Sequence, residues 1–184
     1  MKKLLLAAAI AVGGTTISTS FTGQPIEASA KSYDMSPAFA KDLRNGTMPR
    51  LKGKVGMTYK TLKKKEAKGF GFISDRFNFY ELKDHSQSRD LYVFYPNDGM
   101  YSSDKVIGIF RHYDYLISSK SVKKYFGKPY KAIYDDGKSG NSHVYKAGKY
   151  YVLVFPDKRS NSTEVSVGTK YAIMNNMLYQ KIYR

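Results

Sequence analysis

The sequence predicts an α+β fold, an antiparallel sheet covered by short helices and built as a degenerate tandem repeat of a helix-then-strands unit. Three observations carry this expectation. Two capped, lysine-rich helical segments recur about 60 residues apart, over 56–69 and 117–129. Each is followed by aromatic and β-branched runs separated by turn sequences. Finally, 17 tyrosines and 10 phenylalanines, with no tryptophan, suit the half-buried surfaces of a sheet.

Taken in order, Met1-Lys2-Lys3, the apolar run Leu4 to Val12 and the small, polar stretch Gly13 to Thr22 have the layout of a secretory signal peptide. Ala28-Ser29-Ala30 offers small side chains for cleavage before Lys31. The apolar run is far shorter than the roughly 20 residues of a membrane span, and nothing after residue 30 is long and apolar enough to be one. Removing residues 1–30 leaves 154 of 184 residues and takes the formal charge from +16 to +15. A chain of that length buries roughly 70% of its extended surface on folding, enough for one domain without covalent staples. With no cysteine there is no disulfide, no lipid-modified cysteine and no thiolate chemistry. Export without disulfides points to the surface or medium of a Gram-positive bacterium.

The expected divisions are a short helical lead (31–50), a first helix-plus-sheet unit (51–113) and a second (114–184), packed as one domain. In the lead, Ser36 is an N-cap, Pro37 takes the first helical position, Phe39 and Leu43 share a face and Gly46 is the stop. The helix of the first unit runs from Gly56 to a stop at Gly69, with Lys60, Lys63 and Lys64 as one stripe and a thin apolar face of Tyr59 and Leu62. The second helix starts at a serine cap and closes at Gly127; Val122, Tyr125 and Phe126 pack, while Lys120, Lys123 and Lys124 form the opposite stripe. Expected strands follow over 76–83, 90–95 and 105–113 in the first unit, and over 130–134, 142–146, 150–155 and 163–170 in the second. Pro96-Asn97-Asp98-Gly99, Asp135-Asp136-Gly137 and Ala147-Gly148 supply turns. Identity between the halves is too low to prove duplication, so chance similarity of two small α+β units stays open as the alternative.

The run Ile117 to Lys128 (ISSKSVKKYFGK), the aromatic hairpin Val144 to Phe155 (VYKAGKYYVLVF) and Glu164-Val165-Ser166-Val167-Gly168 resemble the immunodominant staphylococcal antigen B family. The same order is similar to an uncharacterised family of secreted Bacillus domains. The resemblance spans roughly 114–171, with 51–113 sharing only the general layout. It implies a secreted, non-enzymatic protein that binds nucleic acid without sequence preference; no binding residues come with it. This chain departs from the family in being more basic and in an extension, Met174 to Arg184, past the usual end.

Motifs for catalysis are missing: no HExxH, GxSxG, P-loop or GxGxxG, and His85, His112 and His143 have no metal-ligand spacing. The tightest polar constellation, Glu81, Asp84, His85, Arg89 and Asp90, could be drawn as a nuclease site but reads better as a strand end and loop. No enzyme, cofactor or metal is expected. Polyanions are the expected partners, nucleic acid first and cell-wall teichoic acid second, held by Lys60, Lys63, Lys64, Lys120, Lys123, Lys124, Lys128, Lys131 and Lys149. Tyr130, Tyr134, Tyr145 and Tyr151 could present rings for stacking bases, though each reads first as ordinary sheet packing. Two further readings stand beside this: a host-protein-binding or enzyme-inhibitor module using a tyrosine-rich sheet face, and a secreted nuclease or wall hydrolase.

Overall fold

The computed structural model describes residues 32–66, 68–83, 89–133 and 141–183, the side chains of Ile133 and 177–183 excepted. The expected signal segment, Asp84, His85, Tyr134 and the Asp135-Asp136-Gly137 turn lie outside the described residues. In chain order the elements are β1 (Ser32–Tyr33), α1 (Pro37–Arg44), α2 (Tyr59–Lys65), β2 (Gly69–Ile73), β3 (Asn78–Leu82), β4 (Asp90–Phe94), β5 (Gly108–Tyr113), β6 (Leu116–Ile117), α3 (Ser119–Phe126), β7 (Lys131–Ile133), β8 (Ser142–Ala147), β9 (Tyr150–Asp157), β10 (Ser162–Gly168) and α4 (Lys170–Tyr183).

Eight strands form one open antiparallel sheet in the order β2-β3-β4-β5-β10-β9-β8-β7, and β1 pairs with β6 in parallel. The fold is α+β, as the sequence predicts. The strand order is a palindrome: each half is a helix (α2 or α3) followed by a four-stranded meander, and the halves meet through their last strands. Because an antiparallel pair has a local two-fold relation, the Ile109–Val167 pair relates the two meanders. One row across the sheet runs Gly71, Tyr80, Tyr92, Ile109, Val167, Val152, Tyr145. The two-fold carries Tyr92 to Val152 and Tyr80 to Tyr145.

Strand alternation sends that row to one face, where it joins the larger core with Phe39, Ala40 and Leu43 of α1, Leu62 of α2 and Val122 of α3. The other face carries Val93, Phe110, Val144 and Leu153, packed with Ala172 and Ile173 of α4. Each such fully buried aliphatic or aromatic side chain contributes about 1.5–3 kcal/mol. On the α4 face Gly108 and Gly168 pair in register, and a Cβ on Gly168 would lie 2.6 Å from the Ile107 carbonyl oxygen and 3.3 Å from Ala172 Cβ. That close approach is what lets α4 lie against the middle of the sheet.

The caps follow the sequence reading. Ser36 accepts from the Phe39 amide at 3.1 Å, and Ser118 from the Ser121 amide at 3.4 Å. Gly127 closes α3 with a φ of +73°. Most strand ends shift by a few residues, and three boundaries change the reading. First, α2 stops at Lys65, and Gly69, read as its stop, opens β2. The cause is Glu66, whose Oε1 accepts from the amides of Lys52 at 2.7 Å and Gly53 at 2.6 Å and from the hydroxyl of buried Tyr92. Second, β10 ends at Gly168 rather than at Lys170. Third, the segment from 174 read as an extension belongs to α4, whose first turn is held by Thr169 Oγ1 accepting from the Ala172 amide at 3.2 Å. Burial and the bond to Glu66 push the Tyr92 hydroxyl above its ordinary pKa. Glu66→Ala, which strands the buried Gly53 amide and Tyr92 hydroxyl and leaves the exposed Lys52 amide to water, is expected to lower unfolding free energy by about 2–3 kcal/mol, read as a shift in urea midpoint at constant slope.

Candidate polyanion-binding surfaces

Buried Leu62 in α2, and buried Ser121 and Val122 in α3, set the roll of each helix. Lys60, Lys63, Lys64 and Lys120, Lys123, Lys124 are then all exposed. The correspondence is residue for residue at an offset of 60: caps Thr58 and Ser118, anchors Leu62 and Val122, and the three lysines of each stripe. Like charges at i and i+4 cost about 0.2–0.5 kcal/mol per pair, so the stripes are mildly unfavourable in the free protein. Among the described residues none of these lysines is paired with a carboxylate. Lys63 Nζ lies 4.5 Å from the Tyr59 ring centre and Lys124 Nζ 5.7 Å from that of Tyr125, which steadies each stripe without neutralising it.

Both helices cover the same sheet face, on opposite wings. Tyr59 of α2 packs edge-on against Tyr80 and Phe94 at 5.6 and 5.5 Å, and Phe126 of α3 lies 6.2 Å from Tyr145 of β8. Four strand spacings between β4 and β8, at about 4.8 Å each, put the stripes about 20 Å apart. Cationic groups from α1 and two loops fill the interval. Arg44, ending α1, donates to the Tyr125 carbonyl and sits 5.2 Å over the Phe126 ring. Arg44, Lys54 and Lys149 line a cleft of about 690 Å³, together with Thr58 and Thr61 at the start of α2. Lys149 belongs to the tight β8–β9 turn, where Gly148 has a φ of +63°. Sequence reading found Lys149 but not Arg44 or Lys54, which reach the cleft only through tertiary packing.

Lys128 is exposed in the connection from α3 to β7. Lys131 is in register with Val144 on the edge strand, so its side chain is on the α4 face and is not brought to the helix stripes. Of the candidate tyrosines, Tyr145 is 1% exposed beneath the helices and presents no ring. Tyr130 is 48% exposed on the α4 face, its ring 5.2 Å from that of Tyr151 in a T-shaped pair. Lys170 Nζ stands 5.5 Å from the Tyr130 ring centre. Hydrogen bonding to Lys170, then its charge and those of Lys131 and Lys146, hold the Tyr130 hydroxyl below its ordinary pKa. Lys146 was legible from β8 alternation, which puts it with Val144 and opposite Tyr145; Lys170 was hidden by its reading as strand.

The constellation drawn as a nuclease site is divided by the sheet. Arg89 holds Glu81 with two bonds of 2.9 and 3.0 Å on the α4 face. Asp90, one residue on, turns to the helix side and pairs with buried Arg111. His112 Nε2 is 3.4 Å from Asp114, burial lowers the pKa of His143, and among the described residues no group of acidic and histidine side chains could hold a metal. Beside α4 the sheet also carries a groove of about 480 Å³ floored by Phe72, Phe77, Phe79, Leu91 and Phe110. Phe72 and Phe79 stack at 4.9 Å.

No protein-family model and no curated protein matches the chain, so no family model supports the expected antigen B membership. Two solved structures are similar in part. A DUF4309 family protein from Bacillus subtilis has 16% identity and a TM-score of 0.45, covering 72% of this chain and 97% of its own. A cysteine-rich secretory protein from Staphylococcus aureus has 17% identity and a TM-score of 0.38, covering 78% of this chain and 52% of its own. At these identities and scores, both stand as similarities alone.

Proposed function

We propose that this is a secreted, non-enzymatic protein of a Gram-positive bacterium that binds polyanions, extracellular nucleic acid first among them, without reading sequence. The observation that carries the reading is the single cationic face on which Lys60, Lys63, Lys64, Lys120, Lys123 and Lys124 stand exposed, without carboxylate partners among the described residues, bridged by Arg44, Lys54 and Lys149. Cations spaced over about 20 Å neutralise several phosphates at once and release their counterions, which gives affinity indifferent to base identity. The resemblance of residues 114–171 to the antigen B family supports the same ligand, and Met1 to Ala30 supports export. The test is binding of residues 31–184 to fluorescent single-stranded DNA, duplex DNA and RNA across a salt series, with teichoic acid as competitor. Tight binding with a steep salt slope that survives the competitor is the expected result. Weak binding of equal strength to every polyanion overturns it.

A protein-directed reading has one observation of its own, the aromatic groove beside α4. A host-protein complex that persists in about 0.5 M salt, where exposed charge pairs are screened, would favour it.

A further inference from the structure

We infer that Tyr130 and Tyr151, with Lys131, Lys146 and Lys170, form a stacking site for the bases of an unpaired nucleic-acid strand. The inference rests on the polyanion reading and narrows it to single strands. Stacking needs a ring with an open face beside cations for the flanking phosphates, and unpaired bases supply the matching π-surface. Tyr130 is 48% exposed, and its edge-to-face partner Tyr151 fixes the ring's tilt. Lys170 Nζ stands 5.5 Å from the Tyr130 ring centre, while the side chains of Lys131 and Lys146 leave the sheet on the same face.

The placement also connects this site to the cationic helix face. Tyr130 immediately precedes β7, the edge strand among the described residues, two positions after exposed Lys128 at the end of α3. A strand lying along Lys120, Lys123 and Lys124 can round that edge by way of Lys128 and Lys131 and reach Tyr130. A flexible single strand makes such a turn readily. A duplex, with a persistence length of about 150 base pairs, does not, and its bases are already stacked. Duplex DNA is therefore confined to the helix face.

The experiment compares oligothymidylate, duplex DNA and inorganic polyphosphate binding to residues 31–184 and to its Tyr130→Leu and Tyr130→Phe variants. Tyr130→Leu is expected to weaken oligothymidylate by about five- to a hundredfold, leaving duplex and polyphosphate unchanged. Tyr130→Phe, which keeps the ring, retains single-strand affinity. An unchanged urea midpoint shows that the fold is intact. If oligothymidylate binds the parent protein and Tyr130→Leu equally, the stacking site is wrong while the polyanion reading survives. If none of the three ligands binds the parent protein at low salt, the polyanion reading fails and takes this inference with it.

Discussion

Asp90→Ala is expected to lower unfolding free energy by about 3–5 kcal/mol, a large part of what a domain of this size has in reserve. Asp90 is fully buried and Arg111 is 5% exposed. The two make a two-point contact, with Nη2 to Oδ2 at 2.8 Å, and Arg111 Nη1 also donates to the Pro49 carbonyl at 2.9 Å. Burial alone works against the guanidinium charge; the hydrogen bond to Asp90, then the neighbouring Tyr113 hydroxyl and the charge of Asp90, outweigh it, so the pKa of Arg111 is raised. Removing the carboxylate leaves a cation in the interior with only the Pro49 carbonyl and the Tyr113 ring beside it among the described residues. The measurement is urea unfolding of Asp90→Ala beside the double variant Asp90→Leu, Arg111→Met. Recovery of most of the loss in the double variant is expected, because an apolar pair of similar volume carries no desolvation penalty. If Asp90→Ala is as stable as the parent, the ion pair is not buried as described.

Changing Lys63, Lys64, Lys123 and Lys124 together to glutamine is expected to weaken single-stranded DNA binding about 200-fold at 0.15 M salt. Each phosphate engaged on a single strand contributes about 0.7 to the slope of log K against log salt, so four lost contacts flatten the slope by about 3. Extrapolated from 1 M to 0.15 M salt, that flattening yields the stated loss. The four positions are exposed and make no carboxylate contacts among the described residues, so the urea midpoint should hold or rise slightly as like-charge repulsion is relieved. An unchanged salt slope would remove α2 and α3 from the interface.

How much of this was legible in the sequence depended on whether the signal was local. The caps at Ser36 and Ser118, the stop at Gly127 and the lysine stripes are decided within one or two helical turns, and they fall where periodicity puts them. By contrast, β2 was hidden because Gly69-Phe70-Gly71-Phe72-Ile73 spends two of five positions on glycine; it is a strand because β3 supplies its partners. Tyr145, a candidate stacking ring that also suited sheet packing, is packed: β8 puts Val144 on one face and Tyr145 and Ala147 on the other, and alternation alone cannot show which face the helices cover. Arg44, Lys54 and Lys149 come from three separate segments and meet only in the folded chain. The Glu66 carboxylate, which ends α2 by binding a loop that precedes the helix, left no local trace for the same reason.

The palindromic strand order has a kinetic consequence. Within each meander every pairing joins neighbours in sequence, so each half can zip by short loop closures. The β5–β10 pairing, by contrast, joins residues some 50–60 positions apart and cannot form until both zippers are in place. That last step brings one lysine stripe, borne by α2, to within about 20 Å of the other, borne by α3. The cationic surface is therefore also a barrier to the final encounter of the halves, and dissolved salt or a bound polyanion lowers it.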